Sequence, residues 1–125
     1  MKKIINTKNA PAAIGPYSQA TVHNNVIYIS GQLPINPATG ELLTGDISAQ
    51  TTLTLQNMQA IVEAAGSNMQ NILKTTILLT DLANFTAVNE AYAKFFPDNP
   101  PARACYQVSA LPKGADIEIE AICAV

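Results

Sequence analysis

Residues 99–122, NPPARACYQVSALPKGADIEIEAI, predict two β-strands joined by a turn-rich connection. Pro100 and Pro101 favour an extended path into the first strand. The alternating pattern IEIEA is typical of a second, half-buried strand. A charged side chain among apolar neighbours needs a partner, because burying an unpaired charge is costly. The stretch therefore raises the question of what Arg103 holds.

The alternation of side chains along a strand predicts which of these residues lie on the same face of their strand. Arg103 and Cys105 share one face of the first strand, and Glu118 and Glu120 share one face of the second. If the two polar faces coincide, Arg103, Cys105 and a glutamate meet in one cleft. The simplest interpretation is an ion pair between Arg103 and a glutamate at a subunit interface. Because a guanidinium is a planar fork that matches a carboxylate, Arg103 is also a candidate anchor for a small organic acid.

The rest of the chain predicts the element order β, β-hairpin, α, β, α, β, β. Asn24 and Asn25 mark the hairpin turn, since asparagine tolerates the left-handed conformation that such turns need. The order contains no repeats or linkers and is that of one α+β domain over residues 1–125. We expect a mixed sheet.

Two helices complete the predicted domain. Asp46 is the expected N-cap of the first helix, which runs to Ala65 and is closed by Gly66. Asn84 is the expected cap of the second helix, whose apolar stripe predicts a packing face formed by Phe85, Val88, Tyr92, Phe95 and Phe96. Two helices cover one face of the sheet, so the other face must be solvated or must meet another subunit.

Composition narrows the classes of partner. Apolar residues make up 48% of the chain and charged residues 13%, which suggests that other subunits hide part of the surface. The net charge of −2 weighs against nucleic acid as a partner. No apolar run approaches the ~20 residues of a membrane span, and MKKIINTKNA does not resemble a signal peptide. We expect a cytoplasmic protein in which Cys105 and Cys123 are reduced.

Common catalytic motifs are missing from the sequence. It has no Walker loop, no G-x-G-x-x-G, no H-E-x-x-H and no C-x-x-C. His23 is the single histidine, so neither a serine triad nor a zinc site is expected. Any chemistry must use carboxylate, guanidinium, thiol, phenol and backbone groups.

Four segments resemble the RidA (YjgF) family: NAPAAIGPYSQA, YISGQLPINPATGEL, IVEAAGSNMQNILKTTILLTDLANFTAVNEAYAKFF and PARACYQVSALPKGADIEIEAI. The resemblance runs from about residue 7 to residue 122, and its most specific part is P-A-R-x-C followed by I-E-I. It implies a chorismate-mutase-like α+β fold and a homotrimer around a central barrel, with sites in the clefts between subunits. Arg103 is typical of the enamine/imine deaminase branch.

The resemblance also implies roles for individual residues. Arg103 matches the arginine that binds the substrate carboxylate, and Glu118, in I-E-I, matches the glutamate that holds or activates water. Strand parity alone does not separate Glu118 from Glu120. Cys105 matches a catalytic-site cysteine that acts through its backbone N–H as much as through its sulfur. Other substrate-binding positions are matched by Tyr17, Ser30, Gly31 and Asn89.

The activity implied is hydrolysis of 2-aminoacrylate and 2-aminocrotonate, which dehydratases that use pyridoxal phosphate release. Their imine tautomers give 2-keto acids and ammonia, and an enzyme with this activity is a 2-iminobutanoate/2-iminopropanoate deaminase. No cofactor or metal is expected, because an imine is already electrophilic. One alternative is a protein that binds 2-keto acids as a sensor, and another is a deaminase in which Cys105 is a covalent nucleophile.

Overall fold

The computed structural model describes residues 1–125, which form one α+β domain with a six-stranded mixed sheet. The strands are β1 (Lys3–Ile5), β2 (Ala20–His23), β3 (Val26–Gln32), β4 (Ile72–Leu79), β5 (Ala102–Gln107) and β6 (Ile117–Ala124), and the helices are α1 (Ile47–Ala64) and α2 (Phe85–Ala93). The predicted element order is confirmed.

The sheet has the strand order β1-β2-β3-β6-β4-β5. All neighbours are antiparallel except β4 and β5, which are parallel and are connected through α2. Parallel strands run in the same direction, so the chain must return to the other end of the sheet through a crossover before it forms the second strand. The strand β5 therefore lies at one edge of the sheet.

Both helices pack on the same face of the sheet. Alternate strand residues such as Ile29, Ile77 and Ile119 are buried there, in one cluster with Met58 of α1 and Val88 of α2. The predicted arrangement of two helices on one face is confirmed. Neither helix combines the length and the hydropathy needed to span a bilayer.

The local signals for the hairpin and for α1 are also confirmed. Asn24 and Asn25 have φ angles of 50° and 62°, so both lie in the left-handed region that a two-residue hairpin turn requires. The Asp46 carboxylate accepts a hydrogen bond of 3.0 Å from the N–H of Ala49, and Gly66 follows the helix with φ of 84°. These residues fix the ends of α1.

The start of α2 differs from the prediction. Asn84 occupies the N-cap position, but its side chain makes no capping hydrogen bond, because its backbone is already helical. A short 3₁₀ turn, Leu82–Asn84, leads directly into α2. The Asp81 side chain caps this turn by accepting a 2.9 Å hydrogen bond from the N–H of Ala83. The side-chain cap therefore lies at Asp81, before the 3₁₀ turn, and not at Asn84.

The face of the sheet opposite the helices is open, and we call it the open face. Tyr28 and Tyr106 project from it and are about half exposed, at 51% and 57%. Ile4 lies on the same face, across from Thr21 in the ladder between β1 and β2. Apolar side chains therefore remain uncovered on this face in a single chain.

Candidate active site

Arg103 lies on the helix side of the edge strand β5. It is opposite Thr75 in the parallel ladder, and its guanidinium carbon is 5.1 Å from the ring centre of Tyr92 and 5.4 Å from that of Phe85. Its Nη1 donates a 2.7 Å hydrogen bond to Oδ1 of Asn89 on α2. Arg103 thus contacts two rings and a neutral amide, and its charge is not cancelled by a carboxylate at these contacts.

The backbone beside Arg103 offers further donors. The N–H of Val108 donates to the carbonyl of Leu79, so the even-numbered residues of β5 turn their polar groups towards β4. Because these groups alternate along a strand, the N–H groups of Arg103 and Cys105 point to the free edge. This geometry is compatible with the role predicted for the Cys105 backbone.

The Cys105 thiol is half-buried on the helix side. Burial raises its pKa, and the positive charge of Arg103 offsets part of this rise. Because the thiolate is the nucleophilic form, a raised pKa disfavours Cys105 as a covalent nucleophile.

A cleft of about 460 Å³ surrounds the Arg103 guanidinium. Asn89 and Tyr92 form one wall, and Pro100 and Pro101 lie at its border. The cleft therefore combines one cation with an amide, two aromatic rings and two prolines, a combination suited to a small organic anion. We call it the arginine half-site.

Glu118 lies in a different cleft, of about 580 Å³, which we call the glutamate half-site. Glu118 is half-buried, whereas Glu120 is exposed, so the structure separates two residues that strand parity could not. Burial, and secondly the charge of Glu120, raise the pKa of Glu118. A carboxyl group with a raised pKa is better matched to proton transfer near neutral pH.

Gly31 determines where the Glu118 carboxylate can lie. The ladder between β3 and β6 shifts register between Ile29 and Gln32, so Ser30 and Gly31 lie in a bulge. A Cβ at this position would lie 2.7 Å from Cδ and 3.0 Å from Cγ of Glu118. The Glu118 side chain therefore occupies the space that a side chain at position 31 would need.

Tyr17 and Ser30 line the glutamate half-site together with Gly31 and Glu118. The Ser30 hydroxyl donates a 2.6 Å hydrogen bond to the carbonyl of Ser18, so its proton is already engaged. Tyr17 is 53% exposed, and its phenol can reach a ligand in the cleft. Both residues keep a substrate-binding role as a prediction.

The loop that carries Tyr17 is fastened by a residue that the sequence analysis did not single out. Gln19 is 2% exposed, accepts a hydrogen bond from the N–H of Thr7, and donates to the carbonyls of Thr7 and Pro11. Its position in a loop rich in proline and glycine was the available signal. Such a loop needs its backbone groups satisfied by side chains.

The two polar faces do not coincide within one chain, so the condition under which Arg103 and a glutamate would share one cleft is not met there. Arg103 is in register with buried Thr75, which faces the helices and hydrogen-bonds Tyr92. Glu118 is in register with Leu78 and points to the other face. Side-chain motion alone cannot bring Arg103 and Glu118 together across a sheet. An ion pair between them inside one chain is excluded for the same reason.

The sites contain no group of three or more histidine, cysteine or acidic side chains that could hold a metal ion. The chemistry that the two half-sites can perform is anion binding at Arg103 and proton transfer at Glu118.

Comparison with known proteins gives matches over almost the whole chain. Residues 7–125 match the family model described as Endoribonuclease L-PSP. A human protein named 2-iminobutanoate/2-iminopropanoate deaminase is 49% identical over 122 residues, which cover 98% of this chain and 89% of the relative. The solved structure of YyfA, a Rid family protein of Yersinia pestis, has a TM-score of 0.98 at 51% identity over 100% of both chains. The structure of E. coli TdcF with bound serine has a TM-score of 0.94 at 44% identity, over 98% of each chain.

Proposed function

Because the chain belongs to the Endoribonuclease L-PSP family, and its relatives confirm the resemblance to RidA (YjgF), we propose that it is an enamine/imine deaminase. The substrates are 2-iminobutanoate and 2-iminopropanoate, and the products are 2-keto acids and ammonia. The observation that carries the proposal is Arg103, whose fork is held by two rings and an amide and remains free for a ligand carboxylate. The names of relatives at about 50% identity identify the class of acid.

In the proposed reaction, Arg103 binds the substrate carboxylate, assisted by the outward N–H of Cys105. Binding fixes the imine carbon beside the attacking water, and holding both reactants together removes much of the entropic barrier. Asn89 contributes by holding Arg103 through its amide oxygen.

Glu118 supplies the proton transfer. It takes a proton from water as the oxygen attacks the imine carbon and passes that proton to nitrogen, which gives a carbinolamine. It then takes the proton of the new hydroxyl and gives it to nitrogen as the C–N bond breaks. The carbon keeps the oxygen as a ketone, and ammonia leaves. The raised pKa of Glu118 suits both steps, since the group must accept a proton and then release it.

The two half-sites lie on opposite faces of one sheet, so we propose that a cleft between subunits unites them. One subunit supplies Arg103 and its neighbour supplies Glu118, in a homotrimer whose open faces pack around a central barrel, as in the chorismate-mutase-like arrangement. The exposed side chains of Ile4, Tyr28 and Tyr106 on the open face support this assembly. The cytoplasmic location and the single-domain boundary at residues 1–125 stay predictions.

The direct test follows formation of 2-oxobutanoate from threonine with an excess of threonine dehydratase, so that imine hydrolysis limits the rate. We expect wild type to accelerate the step and Arg103→Ala and Glu118→Gln to lose at least ~10²-fold. Arg103→Lys should also be poor, because a point charge does not replace a bidentate fork. If wild type binds 2-oxobutanoate in a calorimeter without accelerating the reaction, the protein is a sensor and the deaminase proposal fails.

A cleft built from two subunits predicts that two inactive variants can complement each other, and this tests the assembly separately. Mixing Arg103→Ala and Glu118→Gln chains after mild dissociation should restore part of the activity, because some clefts then combine an intact Arg103 with an intact Glu118. Each variant treated alone is the control. No restoration in demonstrably mixed oligomers would contradict a cleft built from two subunits, and the oligomeric mass would test the trimer.

Endoribonuclease activity, which the family description names, is a rival function for the same chain. The net charge of −2 does not favour binding to phosphate backbones. RNA cleavage that falls steeply with salt and survives Arg103→Ala would support that rival.

A further inference from the structure

We infer that Phe85 and Tyr92 are positioning residues for Arg103: their rings hold the guanidinium in the orientation in which it binds a carboxylate. The inference deepens the proposed function and rests on it. The sequence pattern assigns both residues only to the packing face of α2.

The contacts place Arg103 between the two rings and an amide. Its guanidinium carbon is 5.4 Å from the ring centre of Phe85 and 5.1 Å from that of Tyr92, and both distances are within the ~6 Å range of a cation–π contact. Asn89 holds Nη1 at 2.7 Å. Arg103 is otherwise exposed, and an exposed arginine loses much rotamer freedom when it binds a ligand. Holding it beforehand lowers that loss.

The rings themselves are fixed from several directions. The Tyr92 hydroxyl and the Thr75 hydroxyl share a 2.7 Å hydrogen bond, and Thr75 is the residue opposite Arg103 in the ladder. Phe96 packs against Tyr92 with ring centres 4.7 Å apart. Phe85 is the first residue of α2 and is partly buried against the core. The register between β4 and β5 therefore aligns the arginine with its rings.

Neutral rings are suited to this task because they attract the cation without neutralising it. A carboxylate in their place would form an ion pair and compete with the ligand for the same fork. Tyr92 remains a neutral phenol, since burial raises its pKa despite opposing effects of Thr75 and Arg103. The positive charge is thereby oriented and still available to a substrate.

The test compares Phe85→Leu with Phe85→Tyr, which keeps an aromatic face. The matched control is Phe95→Leu, the same change at a partly buried phenylalanine just beyond the C-terminal end of α2. For Phe85→Leu we expect KM, and the Kd of 2-oxobutanoate measured by calorimetry, to rise by about 2- to 30-fold, with a smaller fall in kcat. Phe85→Tyr and Phe95→Leu should stay within about 2-fold of wild type.

The selectivity of the protein for a charged ligand over an uncharged one distinguishes orientation of Arg103 from a purely structural role of Phe85. We compare binding of 2-oxobutanoate with binding of its uncharged amide, 2-oxobutanamide. If the ring orients Arg103, Phe85→Leu weakens the acid and leaves the amide unchanged. Equal weakening of both ligands would indicate loss of structure and would overturn the inference.

Replacement of Phe85 by a trifluorinated phenylalanine keeps the shape of the ring and withdraws its π-electron density, so it tests the same point if leucine unfolds the protein. We expect weaker acid binding with an unchanged melting temperature. Unchanged binding of the acid would refute the role of the ring. Because Kd is measured without turnover, these outcomes remain readable even if wild type fails to hydrolyse the imine.

Discussion

Replacing Gly31 by alanine tests whether the bulge in β3 positions the Glu118 carboxylate. The new Cβ would lie 2.7 Å from Cδ of Glu118, whereas ordinary contact begins near 3.4 Å. The carboxyl carbon must therefore retreat by roughly 0.7 Å, from 2.7 to 3.4 Å. Displacement of a catalytic group by about 1 Å can cost ~10²-fold in rate.

The fold should tolerate the same change. The carboxyl group is the far end of a flexible side chain, so it can turn away, and we expect an overpacking cost of at most about 1 kcal/mol. The lower entropy of alanine in the unfolded chain offsets part of that cost. We therefore expect Gly31→Ala to lower kcat by about 10- to 100-fold while the urea midpoint changes little.

A double-mutant cycle provides the control. If Gly31 acts through Glu118, then Gly31→Ala should cause no further loss in a Glu118→Gln background. Normal kcat in the single variant Gly31→Ala would refute the positioning role. Additive losses in the double variant would show that Gly31 acts on the substrate or on the assembly by another route.

Acid should inhibit the reaction: burial, followed by the charge of Glu120, raises the pKa of Glu118, so kcat/KM should fall as pH drops through that raised value. Glu120→Gln should move this fall to lower pH, and an unmoved profile would contradict the coupling. Cys105→Ser should keep most of the activity, because burial raises the thiol pKa and little thiolate forms at neutral pH; complete loss in the coupled assay would revive a covalent mechanism. Asp46→Ala should lower the free energy of unfolding by about 1 kcal/mol in urea titrations without changing kcat, since it removes only the cap of α1.

Strand alternation predicted which charges share a face of their own strand, but not which face of the sheet that is. A period of two is unchanged when a strand is turned over, so the pattern around Arg103 or Glu118 is the same in either orientation. The orientation comes from pairing between distant segments. Thr75 of β4 meets Arg103 on one side and Ala121 on the other, while Thr76 meets Glu120. These registers place Arg103 and the glutamates on opposite faces.

Helical spacing was similarly informative and similarly incomplete. It predicted the packing face of α2, and Val88 and Tyr92 are indeed buried in the core. It could not show that Phe85 and Tyr92 also contact Arg103, because that contact depends on where β5 runs after the turn at the prolines. The partner of Gly31 was missed for the same reason, since Glu118 lies far along the sequence and reaches Gly31 only through the ladder between β3 and β6.

If the proposed cleft between subunits unites Arg103 and Glu118, their placement on opposite faces of the sheet makes catalysis a collective property of several chains. A lone chain would bind acids weakly and turn over nothing, so specific activity should fall on dilution below the dissociation constant of the assembly. In a cell, the rate would then rise more steeply than in proportion to the number of chains.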